Sequence, residues 1–183
     1  DFSGQPCDWI NLRFLANKYS FKLINDNCHA LGAEYNGTKK YASKYADIVT
    51  QSFHPVKNIT TGEGGLVVSN DSRFIERLRG FRNHGITQDH YQRQKQVAWS
   101  YDMEEIGYNY RLPNLNAALG CAQMEQLSEF IKKKRIISSG YAEWFSELEY
   151  KFIDEPANCK SNFWFNAFLC NTREERDHIL EYT

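Results

Sequence analysis

Residues 48–69 read IVTQSFHPVKNITTGEGGLVVS, and this stretch carries the pattern that decides the fold. One apolar run leads towards Lys57, a turn rich in glycine follows, and a second apolar run begins at Gly65. Short apolar runs bounded by turn residues are typical of β-strands. We therefore predict strands over 47–53 and 65–69. Because no helix separates them, this pair can be antiparallel.

Lys57 is the first candidate functional residue because of its place between these strands. A lysine held beside a tight turn is displayed at a rigid position, whereas a lysine on a helix surface is solvated. Lysine is also the side chain that forms Schiff bases with carbonyl compounds, including pyridoxal phosphate (PLP). The pattern indicates a candidate covalent anchor, and an ordinary surface-loop lysine is the alternative.

A second candidate residue lies in the segment FKLINDNCHALGA, residues 21–33. Its apolar start predicts a buried strand over 21–25 that ends next to Asp26. Ligand sites of open α/β sheets lie beyond the carboxyl ends of the strands. A carboxylate there suits the pyridine nitrogen of PLP, because an opposite charge favours the protonated ring. The alternative for Asp26 is the N-cap of a following helix.

Helical and extended patterns alternate along the rest of the chain. Apolar spacing and capping residues predict four helices and one further strand: helices over 8–19, 73–80, 113–148 and 173–182, and a strand over 163–170. The helix over 113–148 is either continuous or interrupted by a break. This alternation indicates an α/β protein with a doubly wound sheet.

Three segments together carry a resemblance to a known family. They are Asp26-x-x-His29 followed by ALGA, the stretch SFHPVKNITTGEGG over 52–65, and GYNYRL over 107–112. In order and spacing they resemble the DegT/DnrJ/EryC1/StrS family of PLP-dependent nucleotide-sugar aminotransferases. Within that family the chain is most similar to the enzymes of the pseudaminic acid pathway that aminate a UDP-linked 4-keto-6-deoxy sugar.

The resemblance implies aminotransferase fold type I, with a three-layer α/β/α large domain. Residues 1–135 would be part of that PLP-binding domain, whose N-terminal portion is expected to be absent from this chain. Residues 136–183 would be the start of a smaller, truncated α+β domain at the C-terminal end. We therefore expect this chain by itself to be inactive.

The resemblance also implies a role for each matching residue. Lys57 matches the lysine that binds PLP covalently and then moves protons, and Asp26 matches the partner of the pyridine nitrogen. His29 falls near the cofactor ring and its phenolic oxygen. Ser52 matches a hydroxyl that binds the cofactor phosphate. Asn109 matches an asparagine that reaches the phosphate in the neighbouring subunit of a homodimer with shared active sites.

The implied activity is transfer of an amino group from glutamate to a nucleotide-linked 4-keto-6-deoxy sugar, for surface-glycan or nonulosonic-acid biosynthesis. The alternative is a sugar dehydratase or a non-catalytic sensor of the same fold. A dehydratase relative would carry histidine at the position of Lys57, so the lysine favours transamination. Arg111 is either a second contact for an anion or part of a structural ion pair.

Composition limits the other classes of function. With 22 Lys and Arg against 23 Asp and Glu, the chain has a net charge of −1 and no electrostatic signature of nucleic-acid binding. No apolar stretch approaches the ~20 residues of a membrane-spanning helix. The five cysteines are scattered without metal-ligand spacing, so we expect reduced thiols in a cytoplasmic protein and no metal site. The polar, aromatic segment 83–103 is predicted to be a functional or mobile loop.

Overall fold

The computed structural model describes residues 1–86 and 102–182. Most of the predicted segment 83–103 therefore lies outside the described residues. Within the described part, the helices are α1 (Trp9–Tyr19), α2 (Tyr41–Tyr45), α3 (Ser72–Phe81), α4 (Asn114–Glu147) and α5 (Arg173–Glu181). The strands are β1 (Ile24–Asp26), β2 (Glu34–Tyr35), β3 (Ile48–Ser52), β4 (Gly65–Ser69), β5 (Lys151–Phe152), β6 (Cys159–Lys160) and β7 (Phe168–Leu169).

The main sheet has the strand order β1–β3–β4. β1 runs parallel to β3, with Asp26 opposite Thr50 at its carboxyl end. β3 and β4 are antiparallel, and their register ends with Ser52 opposite Gly65. The predicted antiparallel pairing around the lysine segment is therefore confirmed, and the fold is mixed α/β.

Local capping explains where the helices begin. The Asp8 carboxylate accepts a hydrogen bond from the Asn11 N–H at 3.3 Å and caps α1. Asp71 accepts from the Arg73 N–H at 3.0 Å before α3, and the Thr172 hydroxyl accepts from the Glu175 N–H at 3.1 Å before α5. Each side chain satisfies an N–H group that has no partner inside its helix.

The hydrophobic core lies between one face of this sheet and helices α1 and α2. Its larger members are Trp9, Leu23, Tyr35, Tyr41 and Val49, and alanines fill the space between them. Val49 pairs with Val68 of β4, which packs against the same cluster. Asp26 follows buried Asn25, so its side chain points to the face of the sheet that is opposite this core.

Two predicted strands differ from the observed ones. β1 begins only at Ile24, because the Leu23 N–H is taken by the carboxylate of Asp47 at 2.8 Å. The long strand predicted over 163–170 is wrong, since only Phe168–Leu169 pair, with β5. Phe163 has φ +49°, a left-handed conformation that interrupts an extended chain.

Helix α4 follows Pro113 as predicted and spans 34 residues without the break that the sequence left open. Its middle packs against the turn at Gly32, where a Cβ atom would lie 2.3 Å from the Cδ1 atom of Ile131. The predicted domain boundary between residues 135 and 136 falls inside this helix, and the division into two domains stays a prediction. None of the described helices combines the length and the apolar character needed to cross a membrane.

Candidate active site

Lys57 lies in a turn that backbone hydrogen bonds hold at the open end of the β3–β4 pair. The Phe53 N–H donates to the Gly64 carbonyl at 2.9 Å, and the Thr61 N–H donates back to the Phe53 carbonyl at 3.0 Å. The Lys57 N–H itself donates to the His54 carbonyl at 2.9 Å. The lysine backbone is therefore fixed, as its sequence position predicted.

This turn is also fastened to helix α4. The side-chain amide of Asn116 donates to the Thr61 carbonyl at 2.6 Å. Gly62 has φ +78°, which favours glycine, and a Cβ atom on Gly64 would lie 2.4 Å from the hydroxyl of Thr61. The glycines thus allow the turn to close tightly behind the lysine.

Asp26 lies at the carboxyl end of β1, where its side chain forms a local turn. Its carboxylate accepts from the Cys28 N–H at 3.1 Å, and hydrogen bonds from the Cys28 side chain and backbone lower the pKa of Asp26. Residues 27–33 form turns, so the alternative of a helix N-cap is wrong. Asp26 therefore presents a negative charge at neutral pH.

His29 stacks on the indole of Trp164, with ring centroids 3.6 Å apart and planes 18° from parallel. The same indole lies under the Lys57 ammonium, whose Nζ atom is 4.5 Å from the ring centroid. Burial and then the charge of Lys57 lower the pKa of His29, which favours the neutral imidazole. The structure thus brings His29 and Lys57 next to Trp164, a residue that the sequence did not indicate as part of a site.

Both Asp26 and Lys57 influence the ionisation of the Cys28 thiol. Burial and then the hydrogen bond to Asp26 raise the pKa of the Cys28 thiol, whereas the charge of Lys57 acts in the opposite direction. Cys28 therefore stays a neutral thiol next to the Asp26 carboxylate. Together, a fixed carboxylate, a lysine amine and a neutral imidazole form a site that can bind a planar carbonyl compound with a cationic ring nitrogen.

Two buried amides hold the loop that carries His29. The side-chain amides of Asn58 and Asn162 each donate to the carbonyls of His29 and Leu31, at 3.3 and 3.3 Å and at 2.8 and 2.9 Å. The Lys134 ammonium of α4 donates to the Asn58 side-chain oxygen at 2.5 Å, and burial lowers the pKa of Lys134. We call Asn58, Asn162 and Lys134 the amide clamp.

The other two predicted site residues have different surroundings. Ser52 ends β3, and its hydroxyl accepts from the His54 N–H at 3.3 Å, which leaves the hydroxyl proton available to an anion. Asn109 is exposed, and its backbone pairs with Asn83. Arg111 donates to the Asn83 side-chain oxygen at 2.7 Å, so the contact observed for it is to a neutral amide.

Sequence reasoning missed Trp164, Asn58, Asn162 and Lys134. Trp164 falls in the predicted strand over 163–170 and Asn162 directly precedes it, and nothing in their spacing indicates a site. Lys134 belongs to a run of basic residues, which usually indicates a solvated helix face. Only their contacts in the folded chain reveal their positions.

Comparison with known proteins identifies the family to which the chain belongs. The family model for DegT/DnrJ/EryC1/StrS aminotransferases matches residues 1–183. A transaminase from Campylobacter jejuni, named for UDP-4-amino-4,6-dideoxy-N-acetyl-beta-L-altrosamine, is 42% identical over 98% of this chain and 47% of its own length. GDP-perosamine synthase of Escherichia coli O157:H7 is 36% identical over 98% of the chain and 46% of its own length. The chain belongs to the DegT/DnrJ/EryC1/StrS aminotransferase family and spans about half the length of these curated relatives.

Solved structures support the same assignment of fold. PseC of Helicobacter pylori, an aminotransferase of pseudaminic acid biosynthesis, superimposes with a TM-score of 0.88 at 28% identity. The match covers all of this chain and 47% of that one. A sugar aminotransferase of Streptococcus pneumoniae, solved in its PMP form, has the same fold with a TM-score of 0.86 at 23% identity. The expected fold of PLP-dependent aminotransferases is confirmed for the part that this chain covers.

Proposed function

We propose that the protein is a PLP-dependent aminotransferase that moves an amino group from glutamate to a nucleotide-linked 4-keto-6-deoxy sugar. The observation that carries this proposal is the cluster of Lys57, Asp26 and His29 in a chain of this family. The two curated relatives named above are a UDP-sugar transaminase and a GDP-sugar synthase, which supports a nucleotide-linked sugar as the amino acceptor. The higher identity belongs to the UDP-sugar enzyme, and the likeness to PseC, an aminotransferase of pseudaminic acid biosynthesis, supports that pathway.

The donor set of the site fits PLP. Lys57 would hold the cofactor covalently, Asp26 would hold a proton at its ring nitrogen, and the Ser52 hydroxyl would bind its phosphate. When bound, PLP supplies an electron sink for the negative charge that develops as a proton leaves the substrate carbon. The Lys57 amine would move that proton, and neutral His29 would contact the ring.

The proposal includes a cytoplasmic homodimer. The five cysteines are free thiols in this structure, which supports a reducing compartment such as the cytoplasm. Asn109 would complete the phosphate site of the neighbouring subunit, which agrees with its position on the surface rather than beside Lys57.

The test uses the full-length protein, loaded with PLP and reduced with borohydride. We expect one modified peptide, which contains Lys57, and turnover of glutamate with a UDP- or GDP-linked 4-keto-6-deoxy sugar. Lys57→Ala should abolish both the absorbance of the bound cofactor and turnover. Lys133→Ala, which removes an exposed lysine of α4, should change neither. Modification of a different lysine, or normal transamination by Lys57→Ala, would contradict the proposal.

A further inference from the structure

A cluster of aromatic rings packs around His29, and one of these rings, that of Trp164, lies next to the candidate catalytic lysine. Phe2 and Phe165 each contact the ring of His29 edge-on, with centroids 5.7 Å away, and lie 6.0 Å from one another. Phe165 also packs on Trp164, with centroids 3.9 Å apart. We call Phe2, Trp164 and Phe165 the aromatic platform.

The platform is fixed relative to Lys57. The indole N–H of Trp164 donates to the carbonyl of Val56, the residue before the lysine, at 2.9 Å. The Lys57 Nζ atom lies 4.5 Å from the centroid of the same indole. A ligand that packs beside Trp164 is therefore held next to the lysine amine.

Backbone contacts join the two distant segments that supply the rings. The Trp164 N–H donates to the Ser3 carbonyl at 3.1 Å, and the Ser3 hydroxyl donates to the Phe165 carbonyl at 3.3 Å. Ser3 has φ +62°, which is unfavourable for a residue with a Cβ atom. The chain tolerates this strained residue where it presents Phe2 beside Phe165.

The platform stays open to solvent, unlike the core. Phe2 is 73% exposed and Phe165 is 45% exposed, and neither belongs to the buried core cluster. Aromatic side chains that remain exposed next to convergent polar groups are typical of the lining of a ligand site.

We propose that the aromatic platform is the subsite for the sugar ring of the substrate. This inference rests on the proposed function and adds a specificity-determining role for Phe165 and Phe2. A 6-deoxy sugar has apolar C–H faces and a methyl group, which pack on aromatic rings, whereas its carbonyl group has to lie near the Lys57 amine. The nucleotide would lie outside the platform, and glutamate, whose reacting carbon takes the same place beside Lys57, would not need these rings.

The experiment measures the steady-state kinetics of full-length Phe165→Ala with a UDP- or GDP-linked 4-keto-6-deoxy sugar. We expect KM for the sugar nucleotide to rise on the order of tenfold, while kcat changes by less than about threefold, because binding of the ring is lost and the chemistry is kept. Phe165→Tyr retains the ring and should restore KM. Phe14→Ala, which removes an exposed ring of α1, is the matched control and should leave KM unchanged.

Two further readouts separate a sugar subsite from a structural role. The half-reaction with glutamate alone and the inhibition constant of the free nucleoside diphosphate should be the same in Phe165→Ala and the wild type. Phe2→Ala should also raise KM, and the double variant should deviate from additivity because the rings contact each other.

Three results would overturn this inference. The first is an unchanged KM for the sugar nucleotide in the double variant. The second is a loss of kcat/KM in the glutamate half-reaction as large as the loss with the sugar nucleotide. The third is a KM of Phe165→Tyr that stays as high as that of Phe165→Ala. The first two can occur in an enzyme that still transaminates through Lys57, so they would contradict the platform and leave the proposed function intact. Absence of the glutamate half-reaction in the wild type would instead contradict the proposed function.

Discussion

Asp26 keeps its charge because the hydrogen bonds from Cys28 stabilise the carboxylate more than partial burial destabilises it. Its pKa in the folded chain lies below the ordinary value of 3.8, so the group is ionised throughout the range from about pH 5 to pH 9. This local contribution to stability is present at neutral pH and is lost only when the pH falls through the lowered pKa. Cofactor binding between pH 5 and pH 9 should therefore not follow the titration of Asp26.

Asp26→Asn tests the charge at constant shape. We expect weaker PLP binding and a loss of about two or more orders of magnitude in turnover, because the ring nitrogen loses its negatively charged partner. Absorbance titration with PLP and steady-state assays measure the two effects. Asp71→Asn is a matched control, since Asp71 also accepts from a backbone N–H two residues later, at 3.0 Å, and has a lowered pKa. Near-normal turnover in Asp26→Asn would show that Asp26 stabilises the local turn and has no role at the cofactor.

Among the elements, the loop that follows β1 depends on its neighbours for its conformation. Asn58 approaches it from the lysine turn and Asn162 from the segment after β6, and both donate to the same two carbonyls. The Lys134 ammonium of α4 donates to the side-chain oxygen of Asn58 and holds this amide in place. The amide clamp thus joins three separate parts of the chain around His29.

Asn162→Ala should reveal the contribution of this clamp. Asn162 is 0% exposed, so its removal leaves buried carbonyls with fewer donors and should cost about 1–3 kcal/mol of unfolding free energy. Chemical denaturation of the full-length protein measures the loss. Asn70→Ala removes an exposed amide that also donates to a backbone carbonyl, at 2.8 Å, and should cost less than about 0.5 kcal/mol. Equal losses in the two variants would show that the clamp has no special role.

For the whole molecule, the segment 107–112 presents aromatic rings to solvent. Tyr108 and Tyr110 stack with centroids 4.8 Å apart, and both are exposed, beside exposed Asn109. Tyrosine is enriched at protein interfaces, and a twofold contact would form two equal sites. Trp99 and Tyr101, two further aromatic residues close to this segment in the sequence, lie outside the described residues. A homodimer with shared sites stays our prediction.

Mixing two inactive variants tests the shared site. Full-length Lys57→Ala and Asn109→Ala should each be folded and inactive, and subunit exchange should restore activity, because one site of each heterodimer regains both native residues. Native mass spectrometry of differently tagged subunits verifies the exchange. If exchange is complete and no activity returns, Asn109 does not act across the interface.

Local sequence predicted the parts of the fold that depend on near neighbours in the chain. The strands around Lys57, the capped helices and the helix after Pro113 follow from apolar spacing, caps and turn residues, which act over a few positions. One of the two errors comes from a distant contact, and the other comes from the backbone conformation of a single residue. The Asp47 carboxylate delays the start of β1, and the left-handed Phe163 breaks a run that is apolar enough to be a strand.

The sequence by itself determined the family motifs and the identity of Asp26, His29, Ser52 and Lys57 as candidate site residues. Only the tertiary structure placed Trp164 against His29 and Lys57, and the two phenylalanines beside them. The physical reason is distance along the chain. Phe2 and Phe165 contact each other only after the N-terminal segment and the segment after β6 pair through their backbones, and no pattern within either segment encodes that pairing.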